Sequence, residues 1–350
     1  MAAPSLDVVG IGNAIVDVIA QADDAFIARQ GLVKGAMQLI DAARAEALYA
    51  EMGPGIEMSG GSAGNTMAGI ASLGGQGAYI GKVAEDQLGK VYAHDMRAIG
   101  VRFETAPLVA GPPTARSLIL VTPDAQRTMN TFLGACIELG PEDIDRDLVA
   151  AAQVTYLEGY LFDPPRAKAA FQKAAEIAHA AGRKVSLTLS DAFCVERYRD
   201  EFRALIEGHI DILFANESEI TALYETGEFD KALAVVRGKC EIAALTRSER
   251  GSYVVTADAT HTVPAVTVAK LVDTTGAGDL YASGFLFGLT HGRDLVTCGR
   301  LGSLAAAEVI GHYGARPEAS LKTLAKEAGL IRASRSGKMW GAKNLEPDEE

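Results

Sequence analysis

Several classes of protein are excluded by what this 350-residue chain lacks. Its four cysteines, Cys136, Cys194, Cys240 and Cys298, are scattered with no C-x-x-C pair and no zinc spacing. They read as buried thiols in a reducing cytoplasm rather than as a disulfide framework. The six histidines form no H-E-x-x-H or other metal pattern. A net charge of −12 leaves no general basic face for nucleic acid. No apolar run approaches the ~20 residues that a membrane helix needs, and no basic region followed by an apolar stretch opens the chain, so no signal peptide is expected. There is no G-x-x-x-x-G-K-[ST] loop, and the glycines after the first strand do not fit G-x-G-x-x-G. What is present is an apolar fraction of 48%, enough for one large α/β domain plus a smaller element.

The pattern along the chain supports that division. Leu6–Gly12 reads as a strand, followed by a polar, mixed stretch to about Ala36 and a short apolar run, Met37–Ile40. Asp41 is a predicted N-cap for a helix over Ala42–Met52, which Gly53-Pro54-Gly55 breaks. A helix is predicted over Thr66–Leu73, a short strand at Ala78–Gly81, and a helix from Asp86 to near Gly100. Arg116–Thr122 and Arg127–Phe132 read as a hairpin. From about Pro141 strands and helices alternate, which implies a parallel sheet covered on both faces.

The most informative segment is Asp273-Thr274-Thr275-Gly276-Ala277-Gly278-Asp279, which runs straight into the apolar Leu280–Gly288. Two glycines allow a tight turn. The first amides of the following helix then point outward at the positive end of its dipole, a site suited to phosphate. A carboxylate at Asp279 can take a proton from a hydroxyl that attacks phosphorus.

This run and its continuation resemble the C-terminal signature of the ribokinase-like (PfkB) carbohydrate and nucleoside kinases. The resemblance implies an anion hole at Gly276, Ala277 and Gly278 and a catalytic base at Asp279. Gly60-Gly61-Ser62-Ala63-Gly64-Asn65, read with Gly74-Gly75, Gly81-Lys82-Val83 and Asp86-Gln87-Leu88-Gly89, resembles the N-terminal signature of the same family. It implies sugar binding by Gly60, Gly61 and Asn65. Gly12-Asn13-x-x-x-Asp17 is most similar to the adenosine kinase-like branch and implies that Asn13 and Asp17 hold vicinal hydroxyls.

Further roles follow from the same likeness. Asn216 and Glu219 match an Asn-x-x-Glu motif that organises Mg²⁺ through its waters. Thr246, Arg247 and Gly251 match the turn that lines the nucleotide site, and Arg127 an arginine that contacts the transferring phosphate. Asp273 and Thr275 resemble holders of a monovalent cation such as K⁺. In adenosine kinases an aromatic residue stacks on the base; Leu161 falls at that place here, leaving Tyr160 or Phe162 as substitutes.

The resemblance implies a three-layer ribokinase-like α/β fold with a central, mostly parallel sheet and a small β lid. Residues 1–13, 59–107 and 136–331 are expected to form the large nucleotide-binding catalytic domain, 14–58 and 108–135 the lid, and 332–350 a mobile tail. The implied reaction is ATP-dependent phosphorylation of a primary hydroxyl, with adenosine preferred. A free sugar such as ribose or fructose is the alternative, and a non-catalytic nucleotide or sugar sensor a more remote one. The expected cofactors are ATP and Mg²⁺, the partners small molecules rather than nucleic acid or membrane, the state a monomer or homodimer, and the location cytoplasmic.

Overall fold

The computed structural model describes residues 3–124, 126–162 and 164–332; the tail expected from 332 onward lies almost wholly outside them. The central sheet has nine strands. In spatial order they are Thr260–Val263, Ser252–Val255, Ile242–Thr246, Ile212–Asn216, Lys184–Thr188, Ala152–Glu158, Leu6–Ile11, Gly77–Ile80 and Arg102–Phe103. All neighbours pair in parallel except the first two pairings, which are antiparallel. Successive side chains of a strand buried on both faces enter different cores. Val8, Tyr156 and Ile212 face the helices Ser62–Leu73, Ala277–Thr290 and Leu295–Val309. Val9, Leu157 and Leu213 face Pro165–Ala180, Arg199–His209 and Phe229–Val236. The result is three layers, as the family resemblance implies.

A second sheet of five strands runs in the order Met37–Leu39, Arg127–Phe132, Ala115–Val121, Ile15–Gln21, Gly55–Ser59. The hairpin of Ala115–Val121 and Arg127–Phe132 is antiparallel, as its turn predicts. Two of these strands depart from the sequence reading. Ile15–Gln21 lies within the stretch read as polar and mixed, and Gly55–Ser59 begins where a break alone is predicted.

Two close approaches fix the site. A Cβ at Gly69 would lie 2.6 Å from Ser283 Cβ, so the helices Ser62–Leu73 and Ala277–Thr290 meet almost backbone to backbone. The helix Ser62–Leu73 also starts four residues before the predicted Thr66. Gly61 turns into it at φ +82, where a Cβ would collide with the Asn13 carbonyl.

Candidate active site

The C-terminal ends of the parallel strands open onto a cavity of about 1510 Å³ between the two sheets. Open α/β sheets bind ligands at this edge. Its volume exceeds the roughly 300–1,000 Å³ of a typical single-ligand pocket. Asn13 follows the strand Leu6–Ile11, Glu158 ends Ala152–Glu158, Asn216 ends Ile212–Asn216 and Thr246 ends Ile242–Thr246; all four line the cavity.

Asp279 stands at the floor, in the first turn of its helix. Ser62 Oγ donates to its Oδ1 at 2.6 Å and Asn65 Nδ2 to its Oδ2 at 3.1 Å. Burial raises its pKa, while Ser62, Asn65 and the charge of Arg316 oppose that rise. The carboxylate is thus poised as an acceptor whose basicity exceeds that of an ordinary aspartate.

The glycine turn beside it is built as its residues predict, with one refinement. Gly276 caps the helix at φ +80, and a Cβ there would lie 2.8 Å from Ala315 Cβ. Ala277 N–H donates to Thr274 O at 3.2 Å, and Leu280 N–H makes the first intrahelical bond, to Gly276 O at 2.9 Å. The amides between them, of Gly278 and Asp279, are the ones left for a ligand. Gly278 lines the cavity, and a Cβ there would meet nothing within 4 Å.

Asn13, Asp17, Gly61 and Asn65 come together on the adjoining wall. Gly60 does not line the cavity but lies against Asp17, whose carboxylate occupies the place its Cβ would take. Burial raises the Asp17 pKa to about 6, offset in part by Arg127 and Arg316. Asn13 Nδ2 donates to Glu158 Oε1 at 2.9 Å, and Ala63 N–H donates to Glu158 Oε2 at 2.8 Å. Glu158 therefore caps the helix that carries Ser62 and Asn65, and burial lifts its pKa to about 7. Sequence reasoning assigned no role to Glu158, Ser62 or Arg316. The one available signal was an acid closing the apolar strand Ala152–Glu158 just before a glycine.

On the opposite side Asn216 and Glu219 form a capping box, with Asn216 Oδ1 accepting from Glu219 N–H and Glu219 Oε2 from Asn216 N–H, both at 2.9 Å. Burial raises Glu219 to about 7, and the charges of Asp191 and Asp279 add to that rise. Among the described residues no group of three or more His, Cys, Asp or Glu is arranged to hold a metal. This sparse donor set fits Mg²⁺, which keeps most of its waters. Thr246, Arg247 and Gly251 line the cavity. Arg247 is held by Glu217 at 2.7 Å and stacks over Phe229 at 4.0 Å.

Three expectations are corrected. Phe162 is buried in the core, stacked on Phe202 at 4.4 Å, and does not line the cavity; Leu161 is also fully buried, and only Tyr160 of the three faces the cavity. Arg127 is not at the cavity wall but in a buried ion pair with Asp273. Asp273 in turn accepts from Thr275 N–H (3.0 Å), Thr275 Oγ (2.8 Å) and Gly314 N–H (3.3 Å). Both of its oxygens are engaged and its charge is matched by Arg127, so these residues do not fit a monovalent-cation site. Arg127→Met is expected to cost about 3–5 kcal/mol, because it strands a buried carboxylate. Adding Asp273→Asn should recover most of that loss in urea unfolding; a single-variant cost below about 1 kcal/mol would contradict the pairing.

A profile of the pfkB family carbohydrate kinases matches residues 52–322. The adenosine kinase of Sinorhizobium meliloti is 59% identical, with a TM-score of 0.87 over 92% of this chain and 99% of that one. A probable sugar kinase protein from Rhizobium etli CFN 42 is 55% identical, with a TM-score of 0.88 over 94% and 100%. The adenosine kinase of Saccharomyces cerevisiae is 28% identical over 87% of this chain and 94% of its own. With the family profile spanning most of its length, the chain belongs to the pfkB carbohydrate kinases and is a phosphotransferase acting on a hydroxyl acceptor.

Proposed function

We propose that the protein transfers the γ-phosphoryl group of ATP to the primary hydroxyl of adenosine. The observation that carries this reading is Asp279, held by Ser62 and Asn65 beside the free Gly278 and Asp279 amides at the floor of a cavity large enough for two ligands. The acceptor's vicinal hydroxyls bind Asp17, Asn13 and the Gly61 backbone, with Asn65 alongside. Its primary hydroxyl meets Asp279, which accepts the proton as oxygen attacks phosphorus. The amides of Gly278 and Asp279 receive the charge that develops on the transferring group. Asn216 and Glu219 would hold Mg²⁺ through water, and Mg²⁺ supplies neutralisation of phosphate charge. The five-stranded sheet serves as a lid that excludes water from the phosphates.

Tyr160, about a third exposed at the cavity wall, is the aromatic surface offered to an adenine ring, and the S. meliloti relative supports the nucleoside reading. The R. etli relative favours a free sugar instead, as does the buried, polar Glu158 at the cavity floor. ADP release with Mg·ATP and adenosine, inosine, ribose or fructose separates the two. Turnover on adenosine and not on the free sugars is expected. Turnover on a sugar alone would overturn the substrate while leaving Asp279 as base, and binding without turnover on any of them would favour a sensor.

A further inference from the structure

Arg316 follows the helix Leu295–Val309 in a turn that no motif marks, yet its guanidinium reaches beneath the helix that carries Ser62 and Asn65. Its Nε–H donates to Asn65 Oδ1 at 3.3 Å, and its Nη2 lies 3.5 Å from Met96 Sδ. Among the described residues no carboxylate pairs with it. An arginine without an ion-pair partner inside a protein is costly unless something there requires its donors.

The requirement lies in the amide of Asn65. An asparagine side chain carries an acceptor at one end and donors at the other, and it can rotate to exchange them. Arginine offers only donors. While Arg316 holds Oδ1, the amide must turn its NH₂ toward Asp279, where it donates to Oδ2 at 3.1 Å. Turned the other way, Oδ1 would face the Asp279 carboxylate, and two acceptors in contact can coexist only if a proton sits between them. A protonated Asp279 cannot accept the hydroxyl proton.

We propose that Arg316 is a positioning residue, which locks the Asn65 amide in the orientation that keeps Asp279 ready as a base. This rests on the reading of Asp279 given above. The charges around Asp279 agree with such a need. Asp17 on the strand Ile15–Gln21, Glu158 on Ala152–Glu158 and Glu219 on Glu217–Leu223 are nearby carboxylates whose own pKa values the charge of Asp279 raises. Arg316 is the cation that opposes the effect of burial at Asp279, and it acts on Asp17 in the same sense, together with Arg127.

The test is the pH profile of kcat, which reports groups in the substrate complex. In Arg316→Met, which keeps the apolar stem but no donor, Asp279 stays protonated to higher pH. The acid limb should move up by about one pH unit, a loss in kcat that approaches tenfold on the acid side of the limb and is absent at pH 9. In an Asn65→Ala background, where no amide remains to lock, Arg316→Met should produce only the smaller further shift that loss of its charge causes. Should Arg316→Met denature below the assay temperature, Arg316→Lys carries the test, with a smaller shift in the same direction. An unshifted acid limb, a loss equal at all pH values, or the same additional shift in the Asn65→Ala background would overturn the proposal. Asp279→Asn is measured beside them. If it retains turnover, the base assignment fails; if it is inactive while the Arg316 variants match the parent profile, only the lock fails.

Discussion

Asp279→Asn is expected to lower kcat by about 10²–10⁴-fold, with little change in KM. The amide has nearly the shape of the carboxylate and can turn its oxygen to Asn65 Nδ2 and its NH₂ to Ser62 Oγ, a hydroxyl that also accepts. What is lost is the capacity to accept the proton of the attacking hydroxyl. Because burial raises the Asp279 pKa, the parent enzyme should also lose activity as pH falls, sooner than an ordinary aspartate would dictate. The sign follows from the role: the ionised form is active, so protonation removes activity on the acid side. Asp17, raised to about 6, adds a loss of substrate affinity as pH falls through that value, visible in kcat/KM. Steady-state kinetics of both proteins across pH 5–9 check this, and a fall in kcat of less than about tenfold would remove general-base catalysis from Asp279.

Gly278→Ala should separate fold from function. A Cβ there meets nothing within 4 Å and the backbone is not in the left-handed region, so the fold accepts it. Replacing glycine within a helix contributes up to ~1 kcal/mol of stability, and the melting temperature should match or exceed that of the parent. The added methyl nevertheless enters open space at a residue that lines the cavity and carries an amide assigned to the phosphate. Activity should fall by about 10²–10³-fold, the scale on which an oxyanion donor acts. Gly276 behaves differently, because φ +80 and the nearby Ala315 require glycine for the turn itself. Full activity in Gly278→Ala would place the transferring phosphate elsewhere.

The layers and the turn that places Asp279 were legible in the sequence because each rests on local pattern. Buried parallel strands are short apolar runs, and the Asp279 turn is a contiguous string of small residues ahead of an apolar helix. The strand Ile15–Gln21 was not legible as such, because Asp17 interrupts a run whose burial alternates only against its neighbours. Gly55–Ser59 is an exposed edge strand with almost no apolar face to betray it. The early start of the helix at Ser62 depends on a cap from Glu158, 95 residues away from Ala63, which no window of sequence contains. The same holds for Arg316, 251 residues from Asn65. Phe162 was misread for a related reason. Tyr160, Leu161 and Phe162 lie on one turn of 3₁₀ helix, and spacing alone does not tell which ring faces the cavity.

The most direct test of the account is ADP formation with adenosine set against 5′-deoxyadenosine, which keeps the base and the vicinal hydroxyls but lacks the primary hydroxyl. The account predicts ADP and AMP in equal amounts with adenosine, and inhibition without ADP release with the deoxy compound. Equal ADP release with both would mean that no primary hydroxyl is the acceptor at Asp279, and would contradict it.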